Sequence, residues 1–430
     1  MEAIIHAGVL LDLPTASSPP LNCALLSPLV STPPSPRLDL SVIIPARDEE
    51  ACIADALIAL TCQVDLAGRP LDPARYEVIV LANNCRDATA AAALAFGMRH
   101  PRLRLHVVQR ELPPDEAHVG RARRMLMDES CRRFWLLRSG RDCGVIASTD
   151  ADTRVGPTWV AAILDAVARG ADAVGGRIVV DPCDLATLDP DTRAFHLRDV
   201  GYRSLAAELE SRIDPDPFDP WPRHFQHFGA SIAVTAEAYA RIGGLPVRPW
   251  LEDISLVSAL LRVDARLRHD PRVRVTTSAR TLGRTVFGFA GQLGAWSDMS
   301  RQHTPFLVES VAALEERVRL RVCLRGLWRA ARRGLSPSLR GVLVLANGLG
   351  VDAGSLLLHL SEPLPFGALY ERVLRAQYER GVWSQRWPSV AIEHAIPDLR
   401  ARLAMLRSPM SGHLTSFEEI EPVAALAAAD

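Results

Sequence analysis

No lysine occurs among the 430 residues; all 49 Lys-plus-Arg positions are arginine. The absence excludes a lysine nucleophile, a Schiff-base lysine and the lysine of a phosphate-binding P-loop. Net charge is also missing. The formal balance is −1, without the basic footprint that nucleic-acid binding usually shows, so no nucleic-acid partner is expected. Cysteines stand at 23, 52, 62, 85, 131, 143, 183 and 323, and no two form a Cys-X-X-Cys pair. Zinc and thioredoxin-type readings are therefore weak, and free thiols in a reducing compartment are expected. The N-terminus lacks a basic n-region, and Glu2 and Asp12 bracket its short apolar run, so no signal peptide and a cytoplasmic location are expected. A spanning helix needs about 20 mostly apolar residues. The most apolar segment, 341–360, contains Asn347, Asp352 and several glycines, and it reads as a buried helix pair or core helix. There is no internal repeat and no heptad run.

What is present is ordinary globular composition, 48% hydrophobic and 23% charged, in a chain long enough to bury a core without disulfides. Residues 14–38 are rich in Pro and Ser and read as an irregular lead-in. From Asp39 short apolar runs alternate with helical spacing. Strands are expected at 41–45, 76–81, 103–108, 145–148 and 173–180, and helices after Asp48, from Asp87, at 118–127 and at 159–168. The alternation implies an α/β fold with a mainly parallel sheet flanked by helices. Residues 184–221 read as an inserted helix and loop, and 291–408 as helical. The expected division is 1–38, 39–290 and 291–430.

Polar clusters follow the apolar strands, where ligands of open α/β sheets bind. Asp150 and Asp152 end the fourth strand. Alternate carboxylates there can face one hard divalent cation, Mg²⁺ or Mn²⁺; the competing reading is a solvated turn. Glu252-Asp253 opens an apolar helix and could deprotonate an acceptor hydroxyl, or simply cap the helix. Arg47, Asp48, Glu49 and Glu50 after the first strand could meet a phosphate and a nucleoside, or be a charged helix start. Asn83, Asn84 and Asp87 after the second could meet a base or ribose, or form a turn. Gly120, Arg121 and Arg123 could approach a nucleotide, with a basic solvated helix as the alternative for Arg123 and Arg124.

In order, these segments resemble family 2 glycosyltransferases of the GT-A fold, over about residues 39–290. Ser41–Val42–Ile43–Ile44–Pro45–Ala46–Arg47–Asp48–Glu49–Glu50 is similar to the opening strand and nucleotide loop, and 80–89 to the second-strand motif. Gly120 to Arg124 is similar to the Gly/Ala/Arg-rich helix start, and Asp150-Ala151-Asp152 to the metal motif. Residues 228–234 with 242–245 are similar to the acceptor-side segment, and Glu252-Asp253 to the acidic pair that supplies the base. The resemblance implies a single inverting displacement. Asp253 takes the acceptor proton, Glu252 shapes the site, and a cation on Asp150 and Asp152 holds the diphosphate. Pro45, Arg47, Asp48, Glu50, Asn83, Asn84, Asp87, Gly120, Arg121, Arg123, Asp150 and Ala151 would contact a nucleotide-sugar donor, a UDP-sugar being favoured. His269 is a further candidate ligand for the metal, Arg284 for the diphosphate, and Trp221 and Trp250 for a sugar. Ala82 stands where an acidic residue is common, and Arg124 where Asn is usual. A processive synthase would bring spanning helices and a Gln-X-X-Arg-Trp motif; neither is found in its place. Rival readings are a nucleotidyltransferase, although the first loop has no glycine, and a silent scaffold. The arginine-rich helix near 317–333 also suggests peripheral contact with an anionic membrane, or packing on the catalytic domain.

Overall fold

Apolar runs buried on both sides become strands because their neighbours supply helices to cover each face. In the computed structural model, which describes residues 19–137, 144–279 and 288–407, β1 (Leu40–Ala46) is followed by α1 (Ile53–Thr61), β2 (Tyr76–Asn83), α2 (Thr89–Arg99), β3 (Leu105–Arg110) and α3 (Val119–Leu136). Then come β4 (Val145–Ser148), β5 (Thr153–Val155), α4 (Trp159–Ala168), β6 (Ala173–Val180), α5 (Pro182–Thr187) and α6 (Pro190–Ile213). The sheet-bearing half closes with β7 (Ile232–Thr235), α7 (Ala236–Arg241), α8 (Glu252–Arg262) and β8 (Leu267–Thr277).

The strands form one sheet in the order β3-β2-β1-β4-β7-β6-β8-β5. β1 to β4 run parallel, as the alternation predicts, and β6 runs parallel to β8. β7 enters antiparallel between β4 and β6, and β5 lies antiparallel on β8. β7 is the strand that sequence reading leaves within the acceptor-side segment. Chain order reverses between β1 and β4, and such a switch point opens a crevice beyond the carboxyl ends of the strands. One face of the sheet is filled by α1, α2 and α4, with Trp159 fully buried. The other is filled by α3, α7 and α8 around Leu126, Tyr239 and Leu256.

One expectation fails here. Cys23, in a short 3-10 turn at Cys23–Leu25, is disulfide-bonded to Cys131 of α3. The lead-in packs Val30 and Leu38 onto the same core, which brings the two sulfurs together across 108 residues of sequence. Spacing alone cannot reveal such a pair. Cys52, Cys62, Cys85, Cys183 and Cys323 are free thiols.

Beyond the sheet the chain is helical, as expected, apart from one short two-stranded pairing. α9 (Phe289–Arg301) precedes β9 (Leu307–Val308), α10 (Val311–Arg332), α11 (Leu339–Leu349), α12 (Ala353–Ser361), α13 (Phe366–Arg380), α14 (Val382–Arg386), β10 (Val390–Ala391) and α15 (Ile392–Arg407). β9 and β10 pair antiparallel. α6, α9 and α15 share a core around Phe195, Leu209, Trp296 and Leu399. α10 to α13 share another, around Leu324, Leu345 and Leu369. The arginine stripe of α10 faces protein. Arg321 and Arg325 hold Asp214, and Arg317 holds Glu210 and Glu309. The stripe Arg317–Arg321–Arg325 is therefore spent on ion pairs within the protein, while Arg329 and Arg333 at the end of the same helix are exposed. Segment 341–360 forms the expected helix pair, α11 and α12, bent by 115°. No single described helix is long and apolar enough to cross a membrane.

Candidate active site

β4 stops at Ser148, and Asp150 follows in the switch-point crevice. Arg123, one turn into α3, reaches under it. Its Nε donates to Ser148 Oγ at 3.1 Å and its Nη2 to Asp150 Oδ1 at 2.7 Å, while Nη1 donates to Glu252. The guanidinium is 3% exposed. Sequence offered a solvated basic helix as the alternative for Arg123, and the buried guanidinium rules that out. Three of its N–H groups meet side-chain oxygens, an arrangement the planar fork of Arg favours. Gly229 lies flat against it: a Cβ there would stand 2.7 Å from the guanidinium atoms. The Gly229 N–H donates to Asp253 Oδ2 at 2.8 Å. Asp150, Glu252 and Asp253 are thus gathered around one arginine and one backbone amide.

The charge is unbalanced. Burial pushes the Asp150 carboxyl above its ordinary value; Arg123 opposes this, and the charges of Asp253 and Glu49 add to it. Its side chain still keeps 37% of its surface accessible, so it is enclosed by protein yet open to the crevice. Asp152 begins the turn into β5 and accepts from Thr153 Oγ1 at 3.3 Å. Thr153 pairs with Thr277 at the carboxyl end of β8. Ala151, between the two aspartates, is buried in the core.

Glu252 and Asp253 lie in the first turn of α8, where the helix dipole favours negative charge. Leu251 before them takes the left-handed conformation, φ 56°, which costs a non-glycine residue about 1 kcal/mol. The approach to this turn rests on α3. Gly120 admits the Arg248 carbonyl where any Cβ would collide. Arg124 donates to the Leu245 carbonyl at 2.9 Å and to Asp128 at 2.7 Å. Arg121 pairs with Glu116 at 3.3 Å.

The first two strand ends make the other rim. Asp48, at φ 55°, accepts from the Arg86 N–H at 2.7 Å. Glu50 accepts from the Ala88 N–H at 3.1 Å, and Asp87 from the Glu50 N–H at 3.0 Å. The two loops brace one another through these carboxylates. Asn84, at φ 51°, clamps both the N–H and the carbonyl of Leu112. Arg47 donates to the Ala117 carbonyl at 2.8 Å. Arg47, Asn84, Arg86 and Leu112 line a cleft of about 340 Å³. Pro45 is half-buried at the end of β1, and Asn83 is 3% exposed, within the β2–β3 ladder. Asn83 is not among the residues that line this cleft. Ligand atoms of Asp48, Cys85 and Asp87 lie within 4.8 Å of one another.

His269 is not brought to the aspartates. Its Nδ1 meets Asp219 Oδ2 at 2.8 Å and its Nε2 meets His227 Nδ1 at 3.1 Å. Its register partners lead through Gly175 and Ile232 to Ser148, three inter-strand steps or about 14 Å. Both ring nitrogens of His269 meet protein partners, away from the aspartates of the metal-ligand expectation. Asp219, 50 residues earlier, is the partner sequence could not supply. His224, 7% exposed, accepts from the Gln226 N–H at 3.1 Å, and burial holds its pKa down at about 3. Trp221 and Trp250 are 45% and 44% exposed rather than core residues. Arg284 lies outside the described residues.

No family model matches the chain, and no curated protein matches it. Among solved structures it is similar to a mannosyltransferase from Pyrobaculum calidifontis in complex with GDP-Man and Mn²⁺, at 16% identity and TM-score 0.40, over 99% of this chain and 90% of that one. S. aureus TarS 1-349 in complex with UDP is similar at 14% identity and TM-score 0.38, over 80% and 92%. M. tuberculosis glucosyl-3-phosphoglycerate synthase is similar at 18% identity and TM-score 0.33, over 64% and 84%.

Proposed function

We propose that the protein is an inverting, metal-dependent glycosyltransferase that moves a sugar from a nucleotide-sugar donor, a UDP-sugar by preference, to an acceptor hydroxyl. The supporting observation is the gathering of Asp150, Glu252 and Asp253 around Arg123 at the switch point of the sheet. Three carboxylates around one guanidinium leave negative charge that a divalent cation would offset. The available donors are hard oxygens, which suit Mg²⁺ or Mn²⁺. Asp150 and Asp152 are the residues that would hold it, and when bound it stabilises the charge of the departing diphosphate.

The chain's own residues do the rest. Arg123 fixes the orientation of Asp150 and Glu252 by charge-assisted hydrogen bonds. The Gly229 amide orients Asp253, whose carboxylate keeps lone pairs to accept the acceptor proton as the hydroxyl attacks. One displacement inverts the anomeric carbon, and no covalent intermediate is required. Arg47 and the braced loops around Asp48, Glu50, Asn84 and Asp87 border the cleft assigned to the nucleoside. Their carboxylates hold loop shape at least as much as they face a ligand.

Incubation with UDP-sugars, Mn²⁺ and a pool of hydroxyl acceptors tests this. Release of nucleoside diphosphate that vanishes in Asp152→Ala is expected. Pyrophosphate as the product, or equal background in both proteins, would overturn the reading.

A further inference from the structure

The far end of the helical layer combines two features. Leu335, Leu339, Leu343, Val344, Leu357 and Leu358 are each between 40% and 65% exposed. They come from the α10–α11 turn, α11 and the last turns of α12. Arg332, at the end of α10, donates from Nη2 to the Leu360 carbonyl at 2.8 Å. That bond sets the end of α12 beside the end of α10, and Leu335, Leu339, Leu357 and Leu358 lie on the segments next to it, at one tip of the layer. Around it stand Arg329, Arg333 and Arg340, all exposed. None of these three meets a carboxylate among the described residues, whereas Arg317, Arg321 and Arg325 on the same layer are all paired.

We infer that this tip docks on an anionic phospholipid bilayer. Exposed leucines bordered by unneutralised guanidinium groups match the acyl boundary and the headgroup charge of such a surface together. α11 and α12 would be about 16 and 14 Å long at 1.5 Å per residue, against a hydrocarbon core of about 30 Å. With their 115° bend they lie in the interface and do not span it. A second copy of the chain is a poorer occupant, because a two-fold contact would press like-charged collars together.

The inference is independent of the catalytic reading and fails separately from it. The full chain is sedimented at low salt with vesicles of phosphatidylcholine, and with vesicles in which one-third is replaced by phosphatidylglycerol. Binding to the anionic vesicles alone is expected, weakening as salt rises. Leu339→Glu with Leu358→Glu, and separately Arg333→Glu with Arg340→Glu, should each weaken binding by about tenfold or more, with unchanged circular dichroism. No binding to anionic vesicles, equal binding to neutral ones, or variants that bind like the parent would each overturn it. So would a dimer that Leu339→Glu dissociates in a protein indifferent to vesicles.

Discussion

Two regions of the molecule use arginine against carboxylates, and they use it differently. On α10 three guanidinium groups meet three carboxylates, Glu210, Asp214 and Glu309. Burial works against the charge of Arg317, but Glu309 and Glu210 outweigh it and raise its pKa. The sum is near neutral, and the result is adhesion between α6 and α10. At the end of β4 a single Arg123 serves Asp150 and Glu252 while Asp253 adds its charge nearby. A matched set glues; an unmatched set leaves a field that a cation and a developing transition state can use. Surplus charge, rather than the presence of ion pairs, is what distinguishes the proposed site from the α6–α10 contact.

The sharpest way to break the comparison is Asp253→Asn. It removes the proposed base but leaves an acceptor for the Gly229 amide. Transfer should fall about 10³-fold, measured as nucleoside diphosphate release, with the melting temperature nearly unchanged. Arg123→Met comes next. It strands buried Glu252, 4% exposed, and should cost about 3–5 kcal/mol in denaturant unfolding. Mn²⁺ should recover part of that loss, because it meets the same surplus charge. Asp214→Asn sharpens the contrast from the other side. Burial disfavours its charge, but Arg325 and Arg321 win and hold its pKa below the usual range. Its loss should cost about 1–3 kcal/mol, with no response to Mn²⁺ and full transfer activity retained.

The smallest effect is a pH slope. His224 has its pKa lowered by burial from 6.5 to about 3, so between those values the unfolded chain binds the extra proton. Stability is therefore complete above about pH 6.5 and declines as pH falls, by about 1–2 kcal/mol between pH 7 and pH 5. His224→Gln should remove that share of the slope in urea titrations at the two pH values.

Much of this was legible in the sequence because it is local. β1, β2, β4 and β6 are apolar runs of four to eight residues, and Trp159–Ala168 carries its helical stripe openly. The loop carboxylates follow strands in the order the α/β pattern requires. What was not legible depends on distance in sequence. β7 is four residues long and antiparallel, too short for its periodicity to stand out. Arg123 is one arginine in Arg121-Ala122-Arg123-Arg124, and only folding buries it and not Arg121. The Cys23–Cys131 and Asp219–His269 pairs need partners 108 and 50 residues away, which no spacing rule supplies.

The close seat of Gly120 on the Arg248 carbonyl bears on how the crevice can move. Together with Arg124 on Leu245 and Arg123 on Glu252, it bolts α3 to the segment that presents Asp253. Under the proposed function, those three fasteners would place the metal side and the base side on one jaw. Under that reading, admission of a donor and release of a product would fall to the opposite jaw, the paired loops around Asp48 and Asp87. That jaw is held by carboxylate-to-amide bonds, which would set traffic through the crevice on the side away from the proposed chemistry.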